Sequence, residues 1–250
     1  MIGVCKLCDQ NKQLRKSHAI GRTVFNRVLR KADNNTFLNI SPRLGRVKQT
    51  NDQWATFQLC LDCEDKLNRQ YDNYGIKALR GDYDSVKITK FPSGWSFNGL
   101  NQERVLHYVI SILWRAAHST HSAYDGVTIP DELDSYLKHT FLGNEEILKD
   151  ILNVRIRVLK DFSQSISDEV WQRVLISPYV YKTKNNVIYV MMFEGWYIEV
   201  FFLKPSFKER KKHGYLRNGK DIFFAPYIEI SQVPGLMHAL AHGVSLVDSK

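Results

Sequence analysis

Two cysteine pairs of identical spacing constrain the fold of this 250-residue chain more than any other feature. Cys5 and Cys8 form the first pair, Cys60 and Cys63 form the second, and the sequence has no other cysteine. Two residues between thiolates allow a tight turn to aim both sulfurs at one ion, and two such turns complete a closed four-thiolate shell. The spacing therefore predicts a structural Zn²⁺ ion. A redox CxxC motif and four ordinary buried thiols are the alternatives.

Composition and hydropathy place the chain among folded intracellular proteins. Hydrophobic residues make up 44% of the sequence and charged residues 24%, which excludes collagen-like and wholly disordered classes. No apolar run approaches the roughly 18 residues that span a bilayer. The N-terminus lacks the basic start and apolar stretch of a signal peptide. We expect a cytoplasmic protein with no membrane partner, in which disulfides are disfavoured.

Positive charge is concentrated in the first fifty residues. They contain eleven Lys or Arg and two Asp or Glu, an excess equal to the net charge of +9 on the whole chain. Such asymmetry favours a polyanionic partner, because each neutralised phosphate releases counterions. A basic face that serves solubility, or that binds an acidic protein, is the alternative.

The segments around the cysteine pairs follow the order of a treble-clef zinc finger. A knuckle is followed by a strand that ends at Ser17-His18, a linking segment, a strand over 54–59, a second knuckle and a helix. The motifs Cys-x-Leu-Cys, Ser-His-Ala-Ile and Leu-Cys-x-x-Cys-Glu resemble those of the zinc-stabilised branch of the HNH (ββα-metal) nuclease family. The resemblance covers about the first 70 residues.

This resemblance implies a set of catalytic residues. His18 matches the general base of the family, and Ser17 falls where the family usually has Asp or His. Glu64 and Asn68 fall at the positions that bind a catalytic divalent ion, such as Mg²⁺ or Mn²⁺, and their i,i+4 spacing puts them on one helix face. The alternatives are a structural or surface role for His18 and a helix-dipole role for Glu64. An Asn that orients the base could be Asn34, Asn35 or Asn39.

Basic side chains near His18 are candidate phosphate ligands. Residues 22–31 have apolar positions at helical spacing, which predicts a short amphipathic helix inserted between the two cysteine pairs. The candidates for nucleic-acid contacts are Arg15, Lys16, Arg22, Arg27 and Arg30.

We expect an α+β protein with three segments: a zinc-binding HNH-like domain over 1–75, a connector over 76–100 with several glycines, and an α+β domain with an antiparallel sheet over 101–250. Helices are predicted from Asn101 and Pro130 and over 144–152, and strands follow from residue 154 onward. Around Ile112–Arg115 the second half resembles uncharacterised bacterial proteins that open with a similar paired-cysteine and Ser-His pattern. Its role could be to recognise substrate, a protein partner or a signal.

These observations predict a metal-dependent HNH-like endonuclease that acts on nucleic acid, with DNA favoured over RNA. By analogy such a protein would serve phage defence or a mobile element. A zinc module that binds nucleic acid without cleaving it, and an interaction subunit of a larger complex, are the alternatives.

Overall fold

The computed structural model describes residues 1–31, 34–143, 145–148 and 151–247, which form twelve strands and eight α-helices. The strands are β1 (Ile2–Val4), β2 (Asn11–His18), β3 (Phe37–Ser41), β4 (Arg46–Thr50), β5 (Ala55–Cys60), β6 (Lys87–Phe91), β7 (Gly94–Asn98), β8 (Asn153–Lys160), β9 (Val174–Thr183), β10 (Asn186–Phe193), β11 (Trp196–Phe201) and β12 (Ile222–Glu229). The helices are α1 (Arg22–Arg30), α2 (Leu61–Leu67), α3 (Asn73–Arg80), α4 (Gln102–His118), α5 (Asp131–Gly143), α6 (Asp168–Trp171), α7 (Phe207–Arg210) and α8 (Leu236–Val247). The chain is thus a mixed α+β protein.

The cysteine pairs belong to a small antiparallel sheet of order β1-β2-β5. Leu14 of β2 pairs with Cys60, and His18, the last residue of β2, pairs with Ala55. The register shifts between Arg15 and Lys16. Because such a bulge adds one residue to a strand, Leu14 and Ser17 are both buried although they are three positions apart.

The larger sheet has nine strands in the order β4-β3-β9-β10-β11-β8-β12-β7-β6. We predicted an antiparallel sheet, but this sheet is mixed, because β3 pairs with β9 in parallel and β8 pairs with β12 in parallel. It also takes strands from all three segments of the sequence: β3 and β4 lie before residue 75, and β6 and β7 lie in the 76–100 connector. Local alternation predicts that a segment is a strand, whereas its partner depends on packing across long sequence separations.

One continuous helical segment follows the second cysteine pair. A π-helical turn, Asn68–Asp72, joins α2 to α3, so the helical backbone extends to Arg80 and beyond the predicted end near Tyr71. A π turn is wider than an α turn, and such turns occur often at functional sites.

The long helix α4 lies in the core. Asn101 caps it as predicted, and its side chain accepts a hydrogen bond of 2.9 Å from the backbone N–H of Arg104. Gly75 is buried in α3, where a Cβ would come within 2.2 Å of Tyr108 of α4. The glycine therefore permits close helix packing. One buried apolar cluster extends from Cys5 through α4 to Ala225.

The remaining helix predictions have mixed outcomes. The helix expected after Pro130 is confirmed as α5. The helix expected over 144–152 is wrong for residues 145–148, which have no regular structure, while residues 144, 149 and 150 lie outside the described residues. In the part of the chain that the structure describes, no helix has the length and apolar character needed to cross a bilayer.

Candidate metal centre and adjacent polar cavity

The four cysteines come together as the spacing predicts. Their sulfur atoms all lie within 4.8 Å of one another, and no pair forms a disulfide. Cys8 Sγ and Cys60 Sγ are 3.9 Å apart. For a tetrahedral ion with metal–sulfur bonds of about 2.3 Å, neighbouring sulfurs stand about 3.8 Å apart. The cluster could therefore hold a structural metal such as zinc, and four thiolates leave no open coordination position.

Backbone hydrogen bonds shape the first knuckle. The N–H of Asp9 donates to the carbonyl of Cys5, and the N–H of Cys5 donates to the carbonyl of Gln10, both at 2.9 Å. Asp9 adopts a left-handed conformation with φ +55°, which a short polar side chain tolerates. Lys6 N–H donates to Gln58 of β5, so the knuckle is tied to the strand that leads to the second pair.

The second pair lies where a strand becomes a helix. Cys60 is the N-cap of α2, and Cys63 is in the first helical turn. A helix N-terminus favours thiolate over thiol. In the first knuckle, burial raises the pKa of Cys5, but hydrogen bonds from the backbone of Cys8, Cys60 and Leu7 outweigh it and bring the pKa to about 7. Burial raises the pKa of Cys8 and of Cys63, and neighbouring thiols add to the rise at Cys63, so of these three thiols Cys5 loses its proton most readily before a metal binds.

A polar cavity of about 210 Å³ lies beside the cysteine cluster and contains all three catalytic candidates. His18 reaches it from the end of β2, Glu64 from α2, and Asn68 from the π turn. The other residues that line it are Gly21, Arg22, Thr23, Asp72, Asn73, Ile76, Lys77, Arg80 and Arg115. The cysteine cluster fixes β2 relative to α2, and this places His18 and Glu64 against the same space.

The imidazole of His18 is half-buried in a positive environment. Burial lowers the pKa of His18 to about 4, and the charges of Arg22 and Arg115 add to the shift. The side chain of Gln53 partly opposes it. None of Asn34, Asn35 or Asn39 is among the residues that line this cavity, whereas the side chain of Gln53 hydrogen-bonds the imidazole. At neutral pH His18 is uncharged and can accept a proton.

The carboxylate of Glu64 has an unsatisfied oxygen. Burial raises the pKa of Glu64, while the charge of Arg115 and the hydroxyl of Ser17 oppose the shift. Neither Glu64 Oε2 nor Ser17 Oγ has a hydrogen-bond partner of normal geometry, although both are buried. Because a buried unpaired carboxylate oxygen is costly, Oε2 is a candidate ligand for a bound ion or water.

An ion pair that the sequence did not reveal forms one wall of the cavity. Arg115 of α4 donates two hydrogen bonds of 2.7 Å, through Nη1 and Nη2, to the carboxylate of Asp72. The Arg115 side chain is 2% exposed and that of Asp72 is 13% exposed. The signal that could have identified the pair is a single arginine among apolar residues, since a buried arginine needs a partner.

The five predicted phosphate ligands are in different places. Arg22 lines the cavity, and Arg27 lines a second groove next to it. Arg15, Lys16 and Arg30 are exposed and line neither space. Lys77 and Arg80 of α3 were not predicted, yet both line the cavity. Four cationic side chains therefore face it, together with the carboxylates of Glu64 and Asp72.

Comparisons with known proteins provide no family for this chain: no family model, no curated protein and no solved structure matches it. The HNH resemblance therefore stays a prediction from the sequence.

Proposed function

We propose that this protein is a zinc-stabilised HNH-like endonuclease that hydrolyses phosphodiester bonds in nucleic acid. The supporting observation is that His18, Glu64 and Asn68, the residues that the HNH resemblance implies, line one cavity beside the cysteine cluster. We further propose that the cluster binds zinc and forms the knuckles of a treble clef. A closed four-cysteine site has a structural role.

In the proposed reaction, the neutral imidazole of His18 accepts the proton of the attacking water. A pKa of about 4 makes His18 a weak base in the free protein. Arg22 and Arg115 contribute to this low value, and a phosphodiester bound beside them would neutralise their charge. Substrate binding would therefore raise the pKa of His18 toward the range where a general base works best.

The residues present also fit a divalent ion of the Mg²⁺ type. Such an ion is usually held by one or two carboxylates and substrate phosphates, and it keeps several waters. Glu64, with its unsatisfied Oε2, and the amide of Asn68 would hold it. When bound, the ion supplies stabilisation of negative charge on the departing 3′ oxygen. Asp72 is engaged by Arg115 and is not part of this donor set.

The cations around the cavity would position the substrate. Arg22 and Lys77 are exposed side chains that line it, so they would contact phosphates on either side of the reacting group. Arg115 is fixed by Asp72, and its charge would attract the phosphodiester without a change of rotamer.

One observation favours a second candidate, a module that binds nucleic acid without cleaving it. Four cationic side chains line the cavity. Of the two carboxylates that line it, Asp72 is paired with Arg115, and Glu64 has no ion pair among the residues that the structure describes. A positive site with few acidic ligands attracts phosphate more readily than a metal ion. In that case His18 would contact the backbone and perform no proton transfer.

A nuclease assay distinguishes these candidates. Purified protein is incubated with plasmid DNA or RNA and with Mg²⁺, Mn²⁺ or Ni²⁺, alongside His18→Ala and the control His139→Ala, an exposed histidine outside the cavity. We expect His18→Ala to lower the cleavage rate by about 10²–10⁴, the usual contribution of a general base. Salt-dependent binding without cleavage would assign the second candidate. Neither activity, together with a stable co-purifying protein, would assign an interaction subunit.

A further inference from the structure

A second and larger groove, of about 490 Å³, lies next to the His18 cavity. Arg80 lines both spaces, so the groove and the cavity adjoin at this residue. The groove combines basic and aromatic side chains. Its lining residues are Arg27, Lys31, Leu79, Arg80, Gly81, Ile88, Lys90, Trp95, Gln172, Glu194 and Trp196.

The charge of the groove is strongly positive. Arg27, Lys31, Arg80 and Lys90 are cationic, and Glu194 is the acidic residue among the described residues that line it. Lys31 donates a hydrogen bond to the side chain of Gln172, which brings no negative charge. Burial lowers the pKa of Lys31, and the neighbouring charge of Arg27 adds to the effect. With four cations and one carboxylate among these lining residues, the groove has a net positive charge that favours an anion.

Glu194 holds two of the cations in place. It lies in the turn between β10 and β11, with φ +52°, and its side chain is 6% exposed. Its carboxylate accepts a 2.9 Å hydrogen bond from Arg80 Nε and a second, shorter one from Nη2. Arg27 Nε is 3.7 Å from the same carboxylate, and Arg27 also lies 3.7 Å from Asp82. The arginines are thus positioned before any ligand arrives.

The aromatic part of the groove is also fixed. The indole of Trp95 donates a 3.1 Å hydrogen bond to the hydroxyl of Tyr227. Its ring packs edge-to-face on the buried Trp196, with centroids 5.2 Å apart. The exposed ammonium of Lys90 stands 4.4 Å from the centre of the Trp95 ring. Because Lys90 is on a flexible stem, it can move to a phosphate and leave this face of Trp95 to a base.

We propose that this groove binds an unpaired segment of a nucleic-acid strand, with one base stacked on Trp95 and the backbone on Arg27, Lys31 and Lys90. A ring that takes part in a duplex stack cannot lie on Trp95, so the groove selects single-stranded or locally opened substrate. Its volume lies within the range of small-ligand sites and accommodates one nucleotide. Because Arg80 borders both spaces, the same strand would pass this residue to place a neighbouring phosphate near the His18 cavity.

This inference rests on the proposed function for its class of ligand, which is nucleic acid, but it does not depend on cleavage. It is therefore tested by binding in the His18→Ala background, without added divalent ion. The probes are a fluorescein-labelled oligothymidylate and a labelled duplex, and fluorescence anisotropy gives the Kd at several salt concentrations. Single-stranded DNA is expected to bind more tightly than the duplex.

Variants of the groove give the specific test. Trp95→Ala should weaken binding of the single strand by about 5- to 150-fold, the contribution of one stacked base, whereas Trp95→Phe should retain most of the affinity. Lys90→Ala should reduce the salt slope by about 0.7, the value for one phosphate contact of a single strand. The controls are Phe207→Ala and Lys184→Ala, an exposed aromatic and an exposed lysine outside the groove. Lys90 is exposed, so its variant tests the proposal even if Trp95→Ala folds poorly.

Each outcome is decisive. Equal affinity for single strand and duplex overturns the assignment of the groove, and so does unchanged binding by both Trp95→Ala and Lys90→Ala. Either result is compatible with cleavage by the wild type, so it leaves the proposed function in place. Competition by thymidine monophosphate as strong as by the oligonucleotide would assign a free nucleotide and overturn the strand assignment. Absence of binding to any nucleic acid, together with absence of cleavage by the wild type, would remove the proposed function as well.

Discussion

The buried ion pair between Arg115 and Asp72 allows a quantitative test of how the helical segment that carries Glu64 is fixed to the core. Asp72 ends the π turn after α2, and Arg115 lies in α4, so the pair joins the wall of the candidate site to the central helix. Two 2.7 Å hydrogen bonds connect the side chains, which are 2% and 13% exposed. We predict that Arg115→Met destabilises the protein severely.

The loss of unfolding free energy follows from the unpaired charge that the substitution leaves buried. Arg115→Met removes the guanidinium and leaves the Asp72 carboxylate buried without its partner, and breaking a buried ion pair in this way costs about 3–5 kcal/mol. The bidentate, charge-assisted geometry argues for the upper part of that range. The double variant Arg115→Met/Asp72→Leu removes both charges, so its unfolding free energy should return to within about 1–2 kcal/mol of the wild type. The coupling energy between the two positions is then about 3 kcal/mol or more.

Urea unfolding of the metal-loaded protein at pH 7, followed by tryptophan fluorescence and by circular dichroism, measures these values. Coincident transitions from the two probes are required for a two-state analysis. The matched control is Arg69→Met, because Arg69 forms a 3.3 Å pair with Asp65 in which the side chains are 78% and 44% exposed. That change should cost less than about 0.5 kcal/mol. The reasoning is refuted if Arg115→Met costs under about 1 kcal/mol, or if the two single effects simply add.

Three further predictions concern the metal, the carboxylate and pH. Metal analysis should find one zinc ion per chain in the wild type and none in Cys60→Ser, whose urea midpoint should also fall; zinc retained at full stoichiometry contradicts the four-cysteine site. Glu64→Gln should raise the divalent-ion concentration needed for half-maximal cleavage, with zinc content unchanged, and an identical ion dependence would remove Glu64 from the donor set. Because the pKa of His18 is about 4 in the folded protein and about 6.5 in an unfolded chain, the unfolded state binds more protons between these values. Stability should therefore fall as pH decreases from about 6.5 to 4, and His18→Gln should flatten this dependence in urea titrations, whereas an unchanged slope would contradict the low pKa.

The cysteine cluster could be predicted from sequence because its information is local. Two identical CxxC pairs specify the chemistry of the ligands, and the distance between the pairs does not matter once one ion binds them. The positions of His18 and Glu64 can be predicted for the same reason. Glu64 directly follows Cys63 in α2, and His18 ends β2, the strand that pairs with β5 and so lies beside the second cysteine pair. Their common cavity is thus formed around the cysteine pairs, the part of the fold that is easiest to predict from local sequence.

The larger sheet could not be predicted in the same way. Short apolar runs identify β10 and β11, and the two residues Glu194-Gly195 between them are typical of a hairpin turn. The parallel pairing of β3 with β9, however, joins Leu38 to Val174 across most of the chain. No local pattern specifies that partner, because a strand segment is compatible with many neighbours until the core is packed. Composition likewise gives no sign that the nine-stranded sheet includes β3 and β4, which lie before residue 75.

Side chains from both halves of the chain form and position the candidate site. Glu194, at a turn of the large sheet, positions Arg80, and Arg80 lines both the His18 cavity and the neighbouring groove. Arg115, from the central helix, engages Asp72 and depresses the pKa of His18. The proposed role of the N-terminal residues therefore depends on contacts between side chains that are 43 and 114 positions apart in the sequence. The large sheet and α4 thus supply the partners that hold Arg80 and Asp72 at the candidate site, as a functional site held by rigid elements requires.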